Sequence, residues 1–499
     1  MNHIITILLI AISLFLIGCT TIGGGRVFNN YSWNDGPWLI LKDNPASSIT
    51  ICWITGVKKN SFLVWGDSVS NLDKSLVSPG SRSHSVTINN LSPDTNYFYS
   101  IREDLTLYSE GTIFSFCTFP SRLEEKEVEF IIAGDLQPKN EYTLLINRIM
   151  AEQIARENPD FLIQIGDAVQ VGSSWKSWHN LMKSLPIMAS ERPVLPVAGN
   201  HEYYFFNSNA NFRSVFPYNF PDKKGSYYSV DIGKIHITFL DPYDGGLTIL
   251  KSKISDEQKK WFTDDLSQAV SEGAEWIFVV LHQTILTNGE YPDDIQLRKW
   301  ILPVLSDFDV DAVFWGHAHL YEHWRYQYGK NGYVINSDDR PGKNPIDYFC
   351  IGSSGASLES NYKLFSHRPF KQESHKWFNT ESRSMEQIST IQYPWNREVF
   401  FEGRMGIDQF NETDRHYYHL PLDKPGGYSV DPEISYSTDN KWFGYMYGEN
   451  TFHYAKLKVD ESTCTISIHY PDGTILSGPD ETLPQIFSLK RKDRSHLLN

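Results

Sequence analysis

Five short apolar runs in this chain each end on a residue able to bind a cation. Val128–Ala133 leads into Gly134-Asp135-Leu136-Gln137, and Phe161–Ile165 leads into Gly166-Asp167. Val194–Ala198 leads into Gly199-Asn200-His201-Glu202, Trp276–Leu281 into His282, and Ala312–Trp315 into Gly316-His317-Ala318-His319. Asp, Asn and His are the ligand set of hard to borderline divalent ions. The Asn200-His201 pair is the most telling. A carboxamide oxygen can hold a metal ion, and the imidazole beside it can then face whatever that ion holds. One such block means little, because a lone strand-end Asp is usually a cap or a turn residue. Five blocks, all at the carboxyl ends of apolar runs, point to the edge of a layered α/β sheet, where ligand sites form.

The elements that must position these residues follow from periodicity. Apolar runs of four to six residues bounded by Gly read as buried strands. Between them, Tyr142–Arg156 carries Leu144, Leu145, Ile149 and Ile154 on a helical face. Ser255 followed by Asp256 and Glu257 is an N-cap with an acidic first turn, and its helix continues through Trp261, Phe262 and Leu266. Arg298–Leu305 reads as a third helix. Tyr227–Asp231 and Ile235–Asp241 read as a hairpin turning at Gly233. Alternating strands and helices over residues 126–356 predict an α/β layered domain of mixed sheets flanked by helices. Tyr348–Ala356 supplies a closing strand and a glycine turn.

Upstream, residues 36–120 are different in kind. Ser48–Thr55, Ser61–Gly66, Ser83–Ile88, Leu91–Tyr99 and Gly111–Thr118 alternate as short strands with turn signals between them, which predicts an all-β sandwich. No polar cluster suited to catalysis occurs in it. Downstream, residues 357–440 form an irregular, aromatic-rich insertion with Trp377, Trp395, Phe400 and Tyr417, either a cap on the site or a structural excursion. Residues 441–485 return to strands, Tyr454–Val459 and Thr465–Tyr470, with a turn at Asp472-Gly473.

The chain has 45 Lys plus Arg against 60 Asp plus Glu, a formal charge of −15. No broad basic footprint exists, so sequence-specific nucleic-acid binding is not expected. Ile4–Gly18 is almost purely apolar and too short for a spanning helix, so residues 1–19 read as an export signal. Leu16-Ile17-Gly18-Cys19 resembles the lipobox of bacterial lipoproteins, although Met1-Asn2-His3 lacks the usual Lys or Arg. That resemblance implies lipidation at Cys19, a flexible tether over residues 20–35 containing Gly23-Gly24-Gly25, and a lipid-anchored place in the bacterial cell envelope. Thr20 carries no inner-membrane retention signal. Cys52, Cys117, Cys350 and Cys464 are either two disulfides or four thiols.

Taken in order, Gly134-Asp135, Gly166-Asp167, Gly199-Asn200-His201-Glu202, His282 and Gly316-His317-Ala318-His319 resemble the calcineurin-like metallophosphoesterases. The stretch "LSPDTNYFYS" to "FSFCTFP" resembles a fibronectin type III module, and Tyr321-Glu322 follows the last His, so the chain looks most like the purple acid phosphatases. The resemblance implies two divalent metal ions, with Asp167 bridging them. Asp135 and His319 complete the first, and Asn200, His282 and His317 the second. It implies hydrolysis of phosphate esters by a hydroxide between the ions, with His201 bonding the phosphoryl oxygen or protonating the leaving group. Three departures stand out. Gln170 occupies the position of the family Tyr that ligates ferric iron, so Mn, Zn or Fe(II) and a colourless protein are expected. Gln137 is a weak ligand or a supporting donor. Residues 283–294 contain no His. A phosphodiesterase or nucleotidase of the same fold, or a non-catalytic lipoprotein binding module, are the alternatives. His179, His236 and His323 lack the strand-end setting and read as surface residues, hydrogen-bonded residues or supports behind the ligands. Trp175 and Trp178 read as packing, and Tyr203–Phe206 as core more than pocket wall.

Overall fold

The computed structural model describes residues 33–103, 111–121, 127–204, 209–246, 252–287, 294–328, 334–335, 345–358, 374–379, 384–389, 445–449, 451–476 and 484–497. Cys19, most of the tether and most of the insertion over 357–440 lie outside the described residues. Among the described residues no helix is long and apolar enough to cross a membrane.

The N-terminal part is one antiparallel sheet of five strands: β1 (Asp35–Ile40), β2 (Ile49–Gly66), β3 (Lys74–Ile88), β4 (Asn96–Arg102) and β5 (Phe114–Cys117). The sequence reads Ser48–Thr55 and Ser61–Gly66 as separate strands, but they form the single 18-residue β2. Its register explains the continuity. Thr50–Ile54 pair with β1 and Phe62–Gly66 pair with β4, while β3 runs along the other side over both halves. Val57 to Lys59, between the halves, are not apolar in alternation, so a periodicity reading breaks there although the backbone does not.

The larger part holds two sheets. One has the order β21-β20-β19-β6-β7-β8, with β6 (Val128–Ala133), β7 (Phe161–Ile165) and β8 (Val194–Val197) parallel. The antiparallel strands β19 (Tyr454–Val459), β20 (Thr463–His469) and β21 (Ile486–Lys490) extend it from the β6 side. The other is eight-stranded. At its centre β10 (Ile235–Phe239), β11 (Trp276–Val280), β12 (Ala312–Trp315) and β15 (Ile346–Ile351) run parallel. Here β9 (Tyr228–Ile232) closes one edge as the hairpin partner of β10, with Gly233 at φ +57° in the turn. β13 (Tyr321–Tyr328) is antiparallel to β15 and carries β14 (Val334–Ile335) and β18 (Tyr445–Glu449). A hairpin of β16 (Ser374–Asn379) and β17 (Ser384–Ser389) stands apart.

Alternation within β11 shows how the layers stack. Trp276, Phe278 and Val280 join the core between the two sheets, while Ile277, Val279 and Leu281 join a second core. In that second core they meet Phe262 and Leu266 of the helix Asp256–Ser271 and Leu297, Ile301 and Leu305 of the helix Ile295–Asp307. Phe130 of β6 packs edge-on to Phe278 across the inner core, at 6.1 Å between ring centres. The helix Glu141–Glu157 covers the outer face of the first sheet through Ile146, Ile149, Met150 and Ile154. The central strands β7, β8, β10, β11, β12 and β15 are thus buried on both faces, which is why they read as unbroken apolar runs rather than alternating ones. Burying each Phe or Ile contributes about 2–3 kcal/mol, so the core fixes where each strand stops, and the strand ends carry the chemistry.

The N-terminal sheet shares the inner core. Trp38 donates its indole N–H to the Val215 carbonyl at 3.1 Å, and Tyr99 donates its hydroxyl to the Ser190 carbonyl at 2.5 Å. Leu39 bridges to Pro193 beside β8. None of the four described cysteines is in a disulfide; Cys52, Cys350 and Cys464 are buried and Cys117 is exposed.

Candidate metal centre

The first sheet delivers Asp135 from β6, Asp167 from β7 and Asn200 with His201 from β8. The second delivers His282 from β11 and His317 with His319 from β12. Donor atoms of Asp167, His282 and His317 lie within 4.8 Å of one another. The Asn200 carboxamide oxygen faces two imidazole nitrogens at once, His282 Nε2 at 3.1 Å and His317 Nδ1 at 3.0 Å. His282 Nε2 is also 3.4 Å from Asp167 Oδ1 and 4.0 Å from Asp135 Oδ1. His319 Nε2 is 3.4 Å from Asp135 Oδ1. All six candidate ligands therefore converge, and His201 stands beside them with Nε2 3.7 Å from Asp167 Oδ2.

The backbone at these posts is bent sharply. Asp135 and Asp167 both adopt φ +50° and His317 φ +67°, the left-handed region that costs a side-chain-bearing residue about 1–2 kcal/mol. The bend turns each side chain off the strand axis towards the shared centre. Gly166, at φ +76°, has no room for a side chain: a Cβ there would lie 2.5 Å from His282 Nδ1. Gly199 is equally tight, since its Cβ would sit 2.1 Å from Asp167 Oδ1. Gly166, Gly199 and Gly316, whose Cβ would lie 2.4 Å from Asp135 Oδ2, thus leave space that a candidate ligand occupies, whereas Gly134 faces the Ile351 carbonyl.

Three of the four imidazoles are held from behind. His282 donates Nδ1–H to the Ile165 carbonyl at 2.8 Å, and His319 donates Nδ1–H to the Ser357 carbonyl at 2.6 Å. His201 donates Nδ1–H to the Gln170 carbonyl at 2.7 Å. These bonds leave Nε2 of all three pointing inward, the arrangement that fixes the tautomer of a ligating or proton-transferring His.

The electrostatics show that the cluster draws in positive charge. Burial opposes a charge on His282, but the Asp167 and Asp135 carboxylates outweigh it and push the ring up to about 10. Burial and the neighbouring His282 charge push His317 down to about 3, which keeps it a neutral donor. Burial also raises Asp135. Asp167 goes the other way: burial opposes its charge, but His282 and His201 more than offset that and hold it low. Two buried carboxylates, one carboxamide oxygen and three inward imidazoles are a donor set for divalent cations, and a cation would supply the charge that His282 now carries.

Two further side chains support the site. Glu202, buried, accepts the backbone N–H groups of Gly199 at 2.6 Å, Asp167 at 2.9 Å and Val169 at 3.2 Å, and so ties the ends of β7 and β8 together. Its presence in the block was visible, but its three partners lie on backbone that no sequence pattern marks. Gln137 donates Nε2–H to Asp167 Oδ2 at 2.8 Å, so it is a supporting donor. The other polar residues take the plain roles expected of them. His179 bonds Asp35 and stacks on Trp33, and His323 bonds Asp347 at 2.7 Å. Trp178 is fully buried, with its indole N–H on the Gly172 carbonyl. The aromatic run divides: Tyr203 is core, bonded to Asp241, whereas Tyr204 touches the site.

Comparison with known proteins agrees with this geometry. Residues 128–321 match the family model described as calcineurin-like phosphoesterase. Purple acid phosphatase 21 of Arabidopsis thaliana is 28% identical over 257 residues, covering 50% of this chain and 54% of that protein. The uncharacterized protein Rv2577 of Mycobacterium tuberculosis is 25% identical over 321 residues, covering 56% and 59%. The chain thus spans little more than half the length of these curated relatives. In fold, it is similar to purple acid phosphatase PPD1 from yellow lupin, with a TM-score of 0.61 at 15% identity over 93% of this chain and 76% of that one. The solved structure of PhoD has a TM-score of 0.55 at 10% identity, covering 90% and 92%. Matched along residues 128–321 and carrying the fold around them, the chain contains a calcineurin-like phosphoesterase domain.

Proposed function

We propose that the chain is a binuclear-metal phosphohydrolase of acid phosphatase type, tethered to the bacterial cell envelope by lipid on Cys19. The observation that carries the reading is the convergence of Asp135, Asp167, Asn200, His282, His317 and His319 on one buried focus. Asp167, touched by both His282 and His201, is suited to lie between two ions, with Asp135 and His319 on one and Asn200, His282 and His317 on the other. Two divalent ions bound there would neutralise a phosphoryl group and activate water. The protein's own part is to orient and to move a proton. His201, its Nδ1 committed to the Gln170 carbonyl, presents Nε2 towards the centre and can protonate the leaving oxygen. Gln170, in the place of the family's iron-ligating Tyr, offers no phenolate, which favours Mn, Zn or Fe(II) and a colourless protein; its backbone carbonyl props His201. The five-stranded N-terminal sheet fits a fibronectin III-like structural role.

The test is metal analysis of the purified protein together with hydrolysis of p-nitrophenyl phosphate and bis-p-nitrophenyl phosphate. About two ions per chain with turnover of the monoester is the expected result. Turnover of the diester alone moves the assignment to a phosphodiesterase or nucleotidase. Bound metal with no turnover of either moves it to a binding module.

A further inference from the structure

A carboxamide is an ambiguous metal ligand. Its oxygen can bind a cation and its NH2 cannot, and the two are nearly the same size. Something must hold Asn200 with the oxygen inward. The imidazoles of His282 and His317 lie on the oxygen side. On the other side, Asn200 Nδ2 donates to the Tyr204 hydroxyl oxygen at 2.9 Å. Tyr204 is the first residue past the short helix Asn200–Tyr203, one turn from Asn200, and its φ of −55° and ψ of 139° carry the chain out of that helix. The same ring lies against His201, with 4.2 Å between ring centres and a 49° tilt. One side chain therefore touches both the amide ligand and the imidazole we assign as the acid.

We infer that Tyr204 is a positioning residue of the metal centre, its hydroxyl orienting the Asn200 carboxamide and its ring setting the His201 imidazole. The inference rests on the binuclear reading above and adds a residue to it. The two contacts are chemically separable. Tyr204→Phe removes the hydroxyl and keeps the ring; Tyr204→Ala removes both.

The experiment uses the full chain, stripped with chelator and titrated with Mn2+ in a calorimeter, with kcat and KM for p-nitrophenyl phosphate measured alongside. For Tyr204→Phe, one of the two ions should bind about 10-fold more weakly, the scale of losing a partner behind a metal ligand. The other ion should bind as in the parent protein. Excess Mn2+ should restore kcat to within about 3-fold, because His201 keeps its neighbour. Tyr204→Ala should show the same weakened ion, and in addition a displaced limb in the pH profile of kcat at saturating Mn2+, reporting the freed His201. Both variants should keep the parent's circular dichroism, so that a folding defect is recognised and Tyr204→Phe, the smaller change, decides. Unchanged binding of both ions in Tyr204→Phe overturns the inference while leaving the phosphoesterase reading intact. A weakened ion in a protein that never turns over either ester keeps the inference and overturns that reading. An iron-loaded protein whose visible colour vanishes in Tyr204→Phe also overturns it, since Tyr204 would then be a ligand itself.

Discussion

Two places in this molecule surround a buried His with Asp, and they are built to opposite ends. At the metal centre, His282 has a backbone carbonyl behind Nδ1 and aims Nε2 at a focus shared with Asn200, Asp135 and Asp167. On the β9–β10 hairpin, His236 spends both ring nitrogens on carboxylates, Nδ1 on Asp231 at 2.9 Å and Nε2 on Asp265 at 3.0 Å. Thr238 and Ser229 also donate their hydroxyls to Asp265. Both rings are raised for the same reason, carboxylates overcoming burial: His282 up to about 10 and His236 up to about 9. Composition and proton affinity therefore do not separate the two. Geometry does. A His bonded to carboxylates through both ring nitrogens offers no lone pair to a ligand, whereas imidazoles that each direct one nitrogen at a common point can bind a cation there.

That contrast can be broken, most severely at Asp167. Asp167→Asn should cost about 10³-fold or more in kcat/KM and reduce bound metal, because it removes the carboxylate that we propose serves both ions. Initial rates and elemental analysis check this, and full metal content with parental rates would dissolve the distinction between the two regions. His201→Ala should be milder and cleaner, losing about 10²- to 10⁴-fold in kcat with metal content unchanged. A variant that folds normally but loses metal would make His201 a ligand and require a new acid.

The hairpin should respond in stability, not in rate. An unfolded His titrates near 6.5, and folded His236 near 9. The folded state holds the proton more tightly, so the contribution is complete below about pH 6.5, fades as pH rises, and is gone above about pH 9. His236→Gln should thus lose on the order of 3 kcal/mol at about pH 6 and little at about pH 9.5, with activity within about 2-fold of the parent. Denaturant unfolding at the two pH values checks it. An equal loss at both would mean that the pairs contribute by packing alone.

Much of the centre was legible because the strands are buried on both faces. Val128–Ala133, Phe161–Ile165 and Ala312–Trp315 stop where their apolar runs stop, so the polar residue after each could be placed at a sheet edge from the sequence. The Ser255 cap and the Gly233 turn were likewise local signals, and both appear. What was hidden depends on contacts between distant backbone atoms. Nothing in the residue types reveals that the Ile165 and Ser357 carbonyls back two imidazoles, or that the Glu202 carboxylate spans two loops. The continuity of β2 was missed for a related reason: its middle is solvent-facing, without an apolar pattern, and its pairing with β3 shifts register on both sides of Lys59↔Ser81.

The kinked backbone at Asp135, Asp167 and His317 has a consequence of its own. Unrestrained, these three residues would relax into ordinary extended geometry and splay their side chains apart. The surrounding core prevents that, so part of the stability won by the apolar layers is committed to holding these donors in place. Folding and function pull against each other at three identifiable hinges, and a cation, by drawing the donors together, would reconcile them.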